Sequence, residues 1–137
     1  MGLILDSSIF IAAERNGLNA RQALGEIAIR AIGEDVAISV ITLVEMAHGV
    51  VLANTPERRA SRQQFLNERM TALPVHPVTV PVALRARQID GGNVALGIHL
   101  ALSDLLIGVT ALELGCSIAT ANVRHFQMVP GPAIVPL

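Results

Sequence analysis

LILDSSIFIAAER, residues 3–15, sets an apolar run, an acid, two serines and a helix-forming segment in direct succession. LILD reads as a short buried strand that ends on Asp6, and Ser7 to Arg15 as a short helix. The same grammar returns twice. VAISV, residues 36–40, is a β-branched run followed by a helix over Thr42 to Leu52. SIAT, residues 117–120, is a strand reached from a helix over Ser103 to Leu114 that Gly115 stops. Between them, Asn19 to Ile32 carries Ala20, Ala23, Leu24, Ile27 and Ala31 at helical spacing. Pro56 to Leu73 is a helix broken by Pro74, and Val80 to Ile89 a helix closed by Gly91 and Gly92. VHPV, residues 75–78, has prolines on both sides of its extended register and predicts an edge strand. A last short strand is expected over Ala133 to Val135. Short strands apolar on both sides and separated by helices predict an α/β fold with a small, mainly parallel sheet. In such a sheet the functional crevice lies at the carboxyl ends of the strands.

The 137 residues are one domain's worth, read as a single unit over 1–137, and 52% of them are apolar against 15% charged. That balance excludes disorder for most of the chain. With three Phe and no Trp or Tyr, the core is aliphatic and a base-stacking platform is excluded. The net charge of −1 excludes a globally basic nucleic-acid binder, though not a locally basic one. Every cation is an arginine. Arg58, Arg62 and Arg69 fall on one face of their helix, either as a solvated face or as contacts for a partner or RNA phosphates. Cys116 stands alone and reads as a small buried hydrophobe, which fits a reducing cytoplasm. The opening MGLILD has no basic stretch and its apolar run is interrupted by Asp6, so no signal peptide is expected, and the longest uncharged stretch, Met70 to Leu84, is too short to span a membrane.

The crevice is where the acids fall. Asp6 ends the first strand, Glu45 lies one turn into the helix after the second, Asp104 opens the helix before SIAT, and Asn122 follows SIAT. A parallel sheet brings all four side chains to one end. Each acid also has a capping role available: Asp6 before Ser7 and Ser8, Glu45 in the capping box Thr42-Leu43-Val44-Glu45, Asp104 with Ser103 at a helix start. Three of only eleven acids nevertheless sit in the most apolar segments of the chain, where charge is costly unless paired or bound to a cation. Oxygen ligands in that number suit Mg2+ or Mn2+ rather than Zn2+. Ser8, Thr42, Ser103 and Thr120 stand beside the acids, as hydrogen-bond partners for a carboxylate or as ordinary caps. Arg15 and Arg124 flank the crevice in sequence, either as solvated surface charges or as residues that steer phosphate. Other templates fail: the chain has no GxGxxG after its first strand, no Walker loop, no GxSxG, and no HExxH. His48, His76, His99 and His125 are scattered and read as structural.

Taken together, LILDSSIFIAAER, SVITLVEMAHGV and GIHLALSDLLIGVTALELGCSIATANVRHF resemble the PIN-domain family, specifically VapC-type toxin ribonucleases of VapBC toxin–antitoxin pairs. The order and spacing of these blocks match over most of the chain. The resemblance implies a three-layer α/β/α fold and a Mg2+- or Mn2+-dependent endoribonuclease. It also implies a homodimer in the cytoplasm, silenced by a VapB-type antitoxin that blocks the acidic pocket. Asp6, Glu45 and Asp104 match the family's three acids, and Ser8 stands where Asn or Ser is common. Asn122 falls at a fourth position that holds Asp or Asn. Where Asn stands there, an Asp often follows three residues on, and this chain has His125 instead. That departure thins the acidic site and bears on whether one metal or two are held.

The expected chemistry is hydrolysis of an RNA phosphodiester by a metal-activated water. Asp6 and Asp104 hold the ion, Glu45 does so directly or through water, and Asn122 contributes weakly. A competing expectation is a non-catalytic PIN scaffold that binds RNA or a protein partner, with the acids kept as caps. A third, a flap-type DNA nuclease of the same fold, fits less well, because those proteins are larger and carry more acids.

Overall fold

The computed structural model describes residues 2–136, with the backbone course alone for 20 and 69–71. The elements run in the order β1 (Gly2–Leu5), α1 (Ser7–Arg15), α2 (Ala20–Arg30), β2 (Asp35–Ser39), α3 (Val40–Val51) and α4 (Pro56–Ala72). After these come β3 (Val75–His76), α5 (Val80–Ala95), α6 (Leu102–Leu114), β4 (Ser117–Thr120), α7 (Val123–Phe126) and β5 (Ile134–Pro136). The strands form one sheet in the order β3-β2-β1-β4-β5, every pair parallel. The VHPV strand is at one edge, where its prolines leave no ladder donor missing inside the sheet.

Alternation along the strands builds two cores. Ile4, Ala37 and Ile118 face one way and bury Ile107 and Ala111 of α6 with Phe126 of α7. Leu5, Ile38 and Ala119 face the other way, onto Ile9 and Phe10 of α1 and Ile27 of α2. A third cluster, with Val82 and Ala86 against Leu105 and Val109, fastens α5 to α6. The result is the three-layer α/β/α arrangement. Register then aligns the strand ends: Leu5 lies beside both Ile38 and Ala119. Asp6, Ser39 and Thr120 therefore leave the sheet side by side.

Four of the departures from the expected elements have a local reason. Helix α3 starts at Val40, because Ser39 caps it through an N–H of Ile41 at 3.1 Å. Thr42 and Glu45 are thus inside the helix, and the expected capping box is not formed. Helix α6 starts at Leu102 behind Ala101, which offers no side-chain cap, so Ser103 is not a cap either. Helix α5 runs through Gly91 and Gly92 and stops only at Leu96 and Gly97, where φ reaches 74°. Glycine costs a helix about 1 kcal/mol, which packing on α6 outweighs; a positive φ ends it. The short helix α7 was not foreseen, being only four residues long. Cys116 is half-buried rather than buried. Among the described residues no helix is long and apolar enough to cross a membrane.

Phe126, fully buried, anchors α7 to the sheet. Phe126→Ala is expected to cost about 3–5 kcal/mol of unfolding free energy, read from urea denaturation. A loss below about 1 kcal/mol would show that α7 is not tied down by this ring.

Candidate functional site

Asp6 is the centre of the carboxyl edge. It is only 3% exposed, yet it carries a carboxylate. Its backbone N–H continues the ladder to Ala119 O at 3.0 Å. As the residue before α1 it sits at the positive end of that helix, accepting a long bond from Ser8 N at 3.4 Å. The stronger contact is from Thr120 Oγ1, at 2.9 Å to Asp6 Oδ2. Since an ionised carboxylate only accepts, Thr120 donates here and must accept elsewhere. It accepts from Asn122 N at 2.8 Å and from Ser8 Oγ at 3.0 Å, while Ser8 Oγ accepts from Ala121 N at 3.0 Å. The bonds thus run in one direction, from backbone amides through two hydroxyls into the acid.

Glu45 projects from α3 and receives Ser7 Oγ at 3.1 Å on Oε1. Its pKa is raised, first by burial and further by the charges of Asp6 and Asp104; the Ser7 hydroxyl works against this. Asp104, in the first turn of α6, is also raised, by burial and then by Asp6, while His125 pulls it down. The charge of Asp6 thus reaches both Glu45 on α3 and Asp104 on α6, so the three acids share one neighbourhood. His125 Nδ1 lies 3.0 Å from Asp104 Oδ2, and Asn122 Nδ2 lies 3.3 Å from the same ring nitrogen. Among the described residues no three His, Cys, Asp or Glu side chains are arranged to enclose a metal ion.

The structure therefore brings together Asp6, Glu45, Asp104, Asn122, Ser8 and Thr120. It does not bring Thr42, which is fully buried and donates to Leu5 O at 3.3 Å, fixing α3 to β1 instead. Ser103 makes no hydrogen bond to the acids among the described residues. Two contacts escaped the sequence reading. Ser7, read only as part of a cap, is the partner of Glu45, and His125, read as structural, touches Asp104.

Beside Ser7 and Glu45 opens a groove of about 880 Å3 between α1, α3 and α4, with Phe10, Met46 and Phe65 on its walls and Arg15 and Arg58 at its margin. Arg62 is not a solvated charge. It pairs with Glu14 at 3.0 Å and donates to Gly49 O at 2.7 Å, so it ties α4 to α1 and α3. Arg58 donates to Asn54 at 3.4 Å, and the side chain of Arg69 lies outside the described residues. Arg124 is exposed on α7, next to His125.

The PIN-domain pattern matches residues 3–131, from β1 through α7. The chain belongs to the PIN-domain family. Its curated relatives include Ribonuclease VapC1 of Rickettsia felis, 29% identical over 133 residues, spanning 96% of this chain and 92% of that protein. Among solved structures, a chain of FitAcB from Neisseria gonorrhoeae is 25% identical with a TM-score of 0.78, covering 96% of this chain and 95% of its own. A chain of VapBC2 from Rickettsia felis, in a complex bound to a DNA fragment from its promoter, superposes with a TM-score of 0.80 at 20% identity, over 100% and 99% of the two chains. The last of these bears on the fold alone.

Because folding raises the pKa of Glu45, its ionised form costs stability above that pKa, and the cost disappears on acidification. In metal-free buffer Glu45→Gln is therefore expected to melt above the parent protein near neutral pH, the gap closing towards pH ~4. A variant that melts lower than the parent at neutral pH would contradict the cost that burial, and then the neighbouring acids, place on the Glu45 charge.

Proposed function

We propose that this protein is a divalent-metal-dependent endoribonuclease, the toxin component of a VapBC-type toxin–antitoxin pair. The observation that carries the reading is the convergence of Asp6, Glu45 and Asp104, two of them with raised pKa values, at the carboxyl edge of the sheet. It is supported by membership of the PIN-domain family and by a relative named Ribonuclease VapC1.

The donor set fits Mg2+ or Mn2+ in one particular way. Asp6 and Glu45 offer oxygen alone, and they repel one another in a half-buried space that a cation would relieve. Among the described residues no three His, Cys, Asp or Glu side chains are grouped to hold an ion, so an ion here would bind directly through one or two carboxylates and keep several waters. Asp6 and Asp104 would hold it, Glu45 directly or through water, with Asn122 a weak contributor. When bound, such an ion supplies a more acidic water and neutralises charge on the phosphodiester. The chain's own residues do the rest. Thr120 and Ser8 keep Asp6 in one orientation. Glu45, with Oε1 engaged by Ser7 and its proton affinity raised, takes the proton of the attacking water on Oε2. The oxygen of that water bonds to phosphorus in line as the bond to the 3′ oxygen breaks, and the departing oxygen takes a proton from solvent. Arg15, on the groove beside Glu45, and Arg124, on α7, guide the RNA backbone by charge.

The groove along α1, α3 and α4 is the surface assigned here to a VapB-type antitoxin, which would cover the acids from that side. A homodimer belongs to the same reading, and the exposed Val44, Val51, Val80 and Leu84 leave apolar surface for it to bury. Action on RNA in that reading is cytoplasmic. The second reading, a non-catalytic scaffold, is favoured by one observation: His125 already engages Asp104 where a further acid would add ligand charge.

Asp6→Asn and Asp104→Asn should each lower Mn2+-dependent cleavage of a tRNA panel by at least about 100-fold, with the circular dichroism of the parent retained. Variants that cut as well as the parent would reject the assignment of these acids. A saturating Mn2+ concentration, about 100 times its Kd, should stabilise the parent by about 2.7 kcal/mol. No Mn2+-dependent rise in Tm, together with no cleavage, would establish the scaffold.

A further inference from the structure

We infer that His125 is a positioning residue for Asp104: its ring carries the proton on Nδ1, donates it to Asp104 Oδ2, and so fixes the third acid from the same segment that fixes the first. The inference rests on the metal-site reading for its consequence, but its geometry stands separately.

The segment from Thr120 to Phe126 has two ends tied to the site. At one end Thr120 Oγ1, itself held by Asn122 N, donates to Asp6. At the other, Phe126 is fully buried among Ile4, Ile107, Ala111 and Ile118. His125 is adjacent to that anchor, so its backbone has little freedom although half of its side chain is open to solvent. Asp104, by contrast, is 14% exposed, and its helix begins without a side-chain cap. Nothing else among the described residues forms a hydrogen bond to its carboxylate.

The tautomer follows from the partners. Nδ1 faces two groups, Asp104 Oδ2 at 3.0 Å and the Asn122 amide nitrogen at 3.3 Å. One nitrogen cannot donate to the first while accepting from the second. The shorter contact to a charged acceptor is the stronger, so Nδ1 bears the proton and the Asn122 amide turns its oxygen to the ring. A histidine that gives its proton to a carboxylate in this way orients it, as partners one step removed from a metal do in general; loss of such a partner typically costs 10–100-fold in metal affinity, roughly.

The chemistry separates the positions of the two ring nitrogens. An asparagine amide places its nitrogen near where Nδ1 stands, whereas a glutamine amide reaches towards Nε2. His125→Ala is expected to weaken Mn2+ binding about tenfold or more, measured without RNA by the electron paramagnetic resonance of free Mn2+, with an unchanged circular dichroism spectrum. His125→Asn should restore most of the affinity and His125→Gln should not. Nitrogen-15 NMR of the metal-free parent, with the imidazole neutral, should show a protonated Nδ1 and a bare Nε2, a pattern that Asp104→Asn abolishes. Mn2+ binding by His125→Ala as tight as the parent's would overturn the positioning role. Rescue by Gln as full as by Asn, or a proton on Nε2 in the parent, would overturn the Nδ1 assignment. A parent that binds no Mn2+ at all would reject the metal reading and the role towards it, while the NMR still decides the contact with Asp104.

Discussion

A carboxylate buried at the end of β1 is the constraint around which the rest of the molecule is arranged. An acid at 3% exposure is tolerable only with fixed partners. Asp6 finds them in the start of α1, which offers Ser8 N and the positive end of a helix, and in Thr120, which offers a hydroxyl from the neighbouring strand. Thr120 can be there only because β4 is parallel to β1 with Leu5 beside Ala119. A slip of one residue would turn Thr120 to another direction and leave the charge without its donor. The hydrophobic alternation of the two strands and the satisfaction of one polar group therefore demand the same register.

The second level is repulsion. Burial and the charge of Asp6 raise the proton affinity of Glu45 and of Asp104, and among the described residues only His125 brings a basic group into direct contact with any of the three acids. A fold selected for stability alone would not place three acids so. Their presence at a crevice, held by Ser7, Thr120 and His125, is what the proposed cation-dependent function rests on. Arg62 shows the opposite use of charge nearby: it joins Glu14 and the α3 backbone, and so gives rigid walls to the groove that leads to Glu45.

Much of this was legible in one dimension. The runs LIL, VAI and IA have no polar residue, which is the mark of strands covered on both faces, and all three lie in central strands of a parallel sheet. The acids stood out because they interrupt apolar segments. What misled was local motif chemistry. Thr42 to Glu45 has the letters of a capping box, but Ser39 leaves the sheet one residue after Ile38 and captures the helix start first. Gly91 and Gly92 look like a stop, yet their φ angles stay negative and α5 continues to where Gly97 turns positive.

The sequence by itself determined the layers and the three acids, because burial on both faces of a strand and the cost of a charge in an apolar run are properties of short segments. The tertiary structure alone decided who holds those acids. Ser7 meets Glu45 across 38 positions, Thr120 meets Asp6 across 114, and His125 meets Asp104 across 21. Such pairs depend on strand register and on the rotation of each helix about its axis. Both are set by how the aliphatic side chains of the two cores interlock, which is a property of the packed molecule and not of spacing along the chain.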